Sequence, residues 1–201
     1  KWDDYYRDDV LVTKNIAERA RARGVRRFIY TGTIDSHYSA RASDVITGDT
    51  PLDPRIATRN HYARSKATCE ALLLEMHRQD GFPVVIFRPG IVIGQGCPPA
   101  HWGVGMFQSA TRVQLWGDGG NKLPLVLVED VAAALVLALD MEGIEGDCFL
   151  LTDEPMLSAR EYVEIVSRES GTRLRAEPTP IWRFYFGDLI NRPEFDAEAR
   201  R

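Results

Sequence analysis

A chain of 201 residues, 44% hydrophobic and 27% charged, has an ordinary globular composition, enough for one sizeable core and a small second lobe. Its net charge of -4 and pI near 5.6 supply no global field for nucleic acid, so that class of partner is set aside. The opening Lys1-Trp2-Asp3-Asp4-Tyr5-Tyr6 has no apolar secretion core and no stretch is long enough to span a bilayer, so a cytoplasmic protein is expected.

From Asp8 to Arg23 apolar residues recur at Val12, Ile16 and Ala20, and Gly24 follows, which predicts an amphipathic helix. The basic run Arg19 to Arg27 reads as its solvated face. Val25 to Thr31 is a short β-rich run. Ile34 to Asn60, rich in Ser, Asp, Gly, Thr and Pro, is a long loop of the kind that is functional or disordered. Asn60 or a neighbour starts a second helix to about Gln79, with Cys69, Leu72, Leu73 and Met76 inward, and Asp80-Gly81 ends it. Phe82 to Phe87 is the next strand. Gly94, Gly96, Pro98 and Pro99 mark irregular chain.

Leu123 to Val128 is again β-rich, and Glu129-Asp130 places acid at the positive end of a helix over Val131 to Leu139. Cys148 to Leu151 is a third strand. Ser158 with Glu161 forms a capping box for a helix through Ser170. Arg173 to Ala176 is β-like, and Ile181 to Ile190 is an aromatic run. Trp182, Phe184, Tyr185 and Phe186 in that run fit a packed core, an apolar substrate wall or a membrane-surface anchor. Alternating strands and helices at these spacings imply parallel βαβ units and a sheet covered on both faces.

Cys69, Cys97 and Cys148 are odd in number, far apart and without a CxxC, which suits buried thiols in a reducing compartment. Cys97 and His101, the close Cys–His pair, read as loop neighbours rather than a zinc site, and no metal is expected.

Tyr62 and Lys66 stand at i and i+4, on one helical face. A free phenol ionises near pH 10, too high for a base at neutral pH, and a nearby ammonium favours the phenolate. Such a pair can exchange a proton with a carbonyl or alcohol beside a nicotinamide. Lysine is scarce, at 1, 14, 66 and 122 among 25 cationic residues, so its placement at 66 is not incidental. An arginine there would hold its proton too tightly. Thr33 ends the first strand at the carboxyl edge, where open α/β sheets bind ligands, and its hydroxyl reads as a substrate donor or as a turn cap. Asn15, within the first helix, holds a relay water or is merely an exposed polar residue.

In this order the residues resemble the extended short-chain dehydrogenase/reductases, the group of NAD-dependent epimerases, dehydratases and 3β-hydroxysteroid dehydrogenase-like enzymes. The similarity runs from about Val10 to Glu164. It rests on Asn15, the strand Arg26 to Thr33, Tyr62-Ala63-Arg64-Ser65-Lys66, Arg88-Pro89-Gly90 with Ile91-Val92-Ile93-Gly94, Gly117-Asp118-Gly119, and Pro124 to Ala132.

The resemblance implies an N-terminally truncated, Rossmann-like parallel sheet with a small C-terminal α+β substrate lobe. Residues 1–96 and 125–155 would form the dinucleotide-binding part, and 97–124 with 156–201 the lobe. Tyr62 would be the acid/base, Lys66 would hold the nicotinamide ribose, Thr33 would orient substrate and Asn15 would complete a relay. Thr31 and Pro89, Gly90, Ile91 and Val92 would line the cofactor, and Thr33, Ile34, Gly94 and Asn121 the substrate. The cofactor would be NAD or NADP, the partner a small molecule, and helices 8–23 and 60–79 would pair in a homodimer.

The family's first strands, with their glycine-rich fingerprint, are not in this sequence, which therefore reads as the later part of an enzyme. Gly32 stands where serine is common. Leu123-Pro124 after the Gly-Asp-Gly replaces the arginine of nucleotide-sugar members and leans toward a less polar alcohol or ketone. The rival readings are a non-catalytic dinucleotide-binding regulator and a fragment inactive as made, with an exposed sheet edge.

Overall fold

The computed structural model describes residues 1–37 and 45–184. They form two compact units, Lys1–Gly94 with Val126–Asp153, and Gln95–Leu125 with the described residues from Glu154 onward.

The first unit opens on a helical rod longer than the expected 8–23. It comprises α1 (Trp2–Tyr5), a π-helical segment (Tyr6–Leu11) and α2 (Val12–Ala22). Val10 and Ala17 are the buried positions, seven residues apart on one helical face with the half-buried Thr13 and Ala20, while Val12 and Ile16, expected inside, are exposed. β1 (Phe28–Thr31) follows, and then two short 3-10 turns, Ile34–Ser36 and Ile56–Thr58, within the stretch expected to be loop. α3 (His61–Asp80) begins at the N-cap Asn60, whose side chain accepts the amide of Ala63 at 2.8 Å, and closes at Gly81. β2 spans Val84–Pro89, two residues later than the expected strand, and β3 is Ile91–Ile93.

β6 (Leu125–Leu127) pairs with β3 and leads directly into α4 (Val128–Leu137), which starts three residues before the expected helix. β7 is Cys148–Leu151. The main sheet has the order β1-β2-β7, parallel throughout, with Thr31 opposite Phe87 and Phe87 opposite Phe149. This is the Rossmann-like arrangement. β2 is buried along its whole length, as a central parallel strand must be. On one side Ala17, Leu73, Phe82, Val84 and Ile86 form a core with Phe28 and Tyr30. On the other, Val85 and Phe87 pack with Ala138, Ile144 and Leu135 of α4 and its exit. Arg27 is no part of a solvated face: its nearly buried guanidinium pairs with Glu145 at 2.6 Å and donates to two carbonyls, of Ala138 and Met141.

The second unit holds a hairpin past the irregular chain around Gly94 to Pro99, and a strand at the expected β-like patch from Arg173. β4 (Gly105–Ser109) and β5 (Arg112–Trp116) form a hairpin, and β8 (Arg175–Thr179) joins β5 in parallel. α5 (Ala159–Glu169) carries the expected capping box, Ser158 Oγ accepting from the Glu161 amide while Glu161 accepts from the Ser158 amide. Of the aromatic run, Phe184 packs its ring 4.2 Å from Trp116, whereas Trp182 is exposed; Tyr185 and Phe186 lie outside the described residues. Cys69 is buried, but Cys97 is exposed, contrary to the expectation of buried thiols, and none of the three cysteines is in a disulfide.

Candidate active site

The parallel register brings the ends of β1 and β2 to one edge. The Gly32 amide donates to the carbonyl of Phe87 at 2.7 Å, which continues the ladder one step beyond β1 and delivers Thr33 to the carboxyl side. A Cβ on Gly32 would lie 3.3 Å from the Glu70 carboxylate, so the absence of a side chain leaves room for a buried ion pair behind it. In that pair Arg88 meets Glu70 at 2.6 Å and also donates to the Gly48 carbonyl at 2.8 Å.

Thr33 is buried and N-caps the first 3-10 turn, its Oγ1 accepting the Asp35 amide at 3.2 Å. Because that oxygen already accepts, its own hydrogen is available to donate elsewhere. Ile34, the first residue of the turn, is half-buried.

Tyr62 is the second residue of α3 and is exposed. Lys66, one turn on, reaches back to β1: its ammonium donates to the Thr31 carbonyl at 3.1 Å and lies 5.3 Å from the centre of the Tyr30 ring. Burial pushes the Tyr30 phenol above its ordinary range, with Cys69, Glu70 and Asp9 adding to the effect. Tyr30 therefore stays protonated, and Tyr62 is the phenol with access to solvent.

Gly90 spends its amide on the Leu151 carbonyl at 3.0 Å, and Pro89 has none, so neither offers a free backbone donor to a nicotinamide. Ile91 is buried, and Val92 lies beside it in β3. Gly94 has a packing reason to lack a side chain, since a Cβ there would come within 2.5 Å of Val128 at the start of α4. Asn121 belongs to the second unit and donates to the Gly103 carbonyl at 3.0 Å.

Asn15 is exposed on α2, which fits the plainer of its two sequence readings. The rod instead meets α3 through Asp9, whose carboxylate accepts the buried Ser65 hydroxyl at 2.6 Å. Asp9 sits in the π-helical segment, and no local sequence signal marks it. Sequence reasoning also missed Asp35, Arg59 and Asp53. Their available signal was charge clustered at both ends of a long loop that runs into the helix carrying Tyr62.

Ahead of Tyr62, Trp2 and Tyr5 pack against His61, with ring centroids at 6.3 and 5.9 Å, and the Arg64 guanidinium lies 3.6 Å over Trp2. Among the described residues no group of three or more His, Cys, Asp or Glu is placed to hold a metal ion, and no helix is long and apolar enough to cross a membrane.

The sequence profile of the NAD dependent epimerase/dehydratase family matches residues 1–150. The chain belongs to this family. Curated relatives include the UDP-glucose 4-epimerase of Vibrio cholerae, 25% identical over 185 residues that cover 90% of this chain and 55% of that protein. The 3beta-hydroxysteroid-dehydrogenase/decarboxylase isoform 3 of Arabidopsis thaliana is 29% identical over 156 residues, 75% of this chain and 28% of that one. A 2-alkyl-3-oxoalkanoate reductase of Stenotrophomonas maltophilia is 25% identical, covering 81% of this chain and 50% of the relative. The chain thus spans about half the length, or less, of the curated relatives it matches.

Among solved structures, UDP-glucuronic acid 4-epimerase from Bacillus cereus in complex with NAD aligns with a TM-score of 0.71 at 18% identity, over 89% of this chain and 59% of that one. RMD from Pseudomonas aeruginosa complexed with NADPH aligns at 0.66 and 23% identity, over 90% of this chain and 66% of that one. At these identities the likeness establishes the fold, and membership of the NAD dependent epimerase/dehydratase family places the cofactor in the nicotinamide dinucleotide class. Of the groups present, the Lys66 ammonium at the carboxyl end of β1 is chemically suited to meet the hydroxyls of such a cofactor.

Proposed function

We propose that this chain carries the catalytic half of an NAD(P)-dependent oxidoreductase of the epimerase/dehydratase type, acting on a small alcohol or ketone. The observation that carries this reading is the placement of Lys66. Its ammonium is anchored on the Thr31 carbonyl, one helical turn from an exposed Tyr62 and at the strand end that leads into Thr33.

A bound nicotinamide supplies the hydride chemistry. In this reading Lys66 holds the nicotinamide ribose and keeps positive charge beside the reacting oxygen. Tyr62 gives a proton to, or takes one from, that oxygen. Thr33 donates its hydroxyl hydrogen to the same oxygen while one of its two lone pairs accepts the Asp35 amide. Leu123-Pro124 after Gly117-Asp118-Gly119 favours a substrate less polar than a nucleotide sugar.

Three cysteines without a disulfide suit a cytoplasmic setting. A homodimer through the rod and α3 is part of the same reading, supported by the exposed Tyr5, Val12 and Ile16 along the rod. Light scattering that returns a monomer at micromolar concentration would remove it.

Replacing Tyr62 with Phe tests the reading. In the longest natural form of the protein, Tyr62→Phe is expected to lower kcat by about a thousandfold or more while dinucleotide affinity changes little. Turnover retained in Tyr62→Phe would remove Tyr62 from the role. Dinucleotide binding with no wild-type turnover across ketones, alcohols and sugar nucleotides would instead favour a non-catalytic binding protein.

A further inference from the structure

Thr33 and Tyr62 stand at opposite ends of a 28-residue excursion, yet a short chain of hydrogen bonds joins them. The Asp35 amide donates to Thr33 Oγ1 at 3.2 Å. Arg59 donates through Nη2 to the Asp35 carboxylate at 2.7 Å and to the Asp35 carbonyl at 3.3 Å. Through Nη1 it donates to the Asp53 carboxylate at 3.2 Å. Asn60 donates to the second Asp35 oxygen at 3.4 Å, while its own side-chain oxygen caps α3 at Ala63, the residue after Tyr62.

Asp53 is buried, with its amide on the Ser36 carbonyl at 3.0 Å and its Oδ1 accepting the Arg55 amide at 2.8 Å. One guanidinium thus grips both flanks of the loop. It does so in the planar fork that suits two carboxylates, which a lysine cannot reproduce.

We infer that Arg59, clamped between Asp35 and Asp53, is the positioning residue that sets the Thr33 hydroxyl in register with the Tyr62 phenol. This rests on the proposed oxidoreductase reading and extends it to residues outside the tyrosine–lysine pair. The proton donors at a reacting oxygen act only when both are aligned, and a displacement of about 1 Å costs on the order of a hundredfold in rate. Arg59 touches neither donor. Its effect passes through the Asp35 turn on one side and the Asn60 cap on the other.

The test is steady-state kinetics with amide hydrogen exchange on wild type, Arg59→Ala, Arg59→Lys and Asp35→Asn, with Arg78→Ala as a surface control. Arg59→Ala is expected to lower kcat by about 10- to 100-fold with KM and dinucleotide affinity within about threefold. Exchange at the Asp35 and Ala63 amides is expected to quicken. Arg59→Lys should recover part of kcat, because an ammonium can pair with one of the two carboxylates. Asp35→Asn keeps the shape of the turn and should reproduce most of the loss, which covers the case in which Arg59→Ala fails to fold.

Wild-type turnover that Arg59→Ala leaves intact would overturn the positioning role alone. So would a fall in dinucleotide affinity and thermal stability that matches the fall in kcat, since that is general loosening. Absence of wild-type turnover would overturn the functional reading and the positioning role together.

Discussion

The carboxylate of Asp9 accepts the hydroxyl of Ser65 at 2.6 Å across 56 residues of chain, joining the π-helical turn of the N-terminal rod to the turn of α3 that carries Tyr62. Ser65 is fully buried, and without Asp9 its hydroxyl falls back on the carbonyl of Tyr62 in its own helix, at 3.0 Å. A hydrogen bond to a charged acceptor contributes about 1.5–3 kcal/mol to stability. Asp9→Ala is therefore expected to cost about 1–2 kcal/mol in urea unfolding. Asp9→Asn, which keeps an acceptor, should cost less than half as much. Equal losses in the two variants would show that the carboxylate contributes by packing.

Among the described residues, Lys66 donates to a backbone carbonyl at the end of β1 and pairs with no carboxylate. Its charge is therefore available to a ligand. Lys66→Ala is expected to reduce both kcat and dinucleotide affinity, each by at least about tenfold. Lys66→Arg should restore affinity better than kcat, because the larger guanidinium keeps charge but displaces the carbonyl contact. Kinetics paired with calorimetric titration of NAD and NADP checks both. Affinity untouched in Lys66→Ala would place the ribose elsewhere.

Glu70 and Arg88 form the most buried ion pair described, with side chains 1% and 7% exposed. Removing one partner strands the other charge. Glu70→Leu is expected to cost about 3–5 kcal/mol, a large fraction of the roughly 5–15 kcal/mol that holds such a domain folded. The double variant Glu70→Leu with Arg88→Met should regain more than half of that loss, since an apolar pair of similar volume carries no desolvation penalty. Chemical denaturation of the three variants decides it. A double variant no better than the single would show that Arg88 matters mainly through the Gly48 carbonyl.

His37 gives a pH dependence with a definite sign. It is buried, and two carbonyls, of Thr50 and Pro51, face its Nδ1 at 2.9 and 3.3 Å. Nδ1 therefore carries a hydrogen, and Nε2 has no partner among the described residues. Burial, with the Arg88 charge adding to it, holds its pKa below the ordinary histidine value, against smaller opposing pulls from Glu70 and from the two carbonyls. The unfolded chain therefore takes up the proton first, near pH 6.5, so stability falls as pH drops through that value toward the folded pKa. His37→Phe removes the titration. Its stability relative to wild type should rise steadily between pH 7 and pH 5 in urea melts. A difference that stays constant over that range would eliminate His37 as the source.

Much of this arrangement was legible because its causes are local. The capping box at Ser158 and Glu161, the Asn60 cap and the shared face of Tyr62 and Lys66 each depend on residues within four positions of one another. The buried strand from Val84 onward and the order of strands and helices follow from runs of β-branched and apolar residues, which report burial directly. Those features led to the fold, the family and the tyrosine–lysine pair.

Only the tertiary structure decided which surfaces and loops those elements use. The rod buries Val10 and Ala17 rather than Val12 and Ile16, and it is Asp9 that meets α3, through Ser65. The Arg59 clamp and the Glu70–Arg88 pair join residues 24 and 18 positions apart. A pairing between distant charges leaves no periodicity in the chain. Its partners are chosen by where packed elements bring them and by the cost of leaving a buried charge alone.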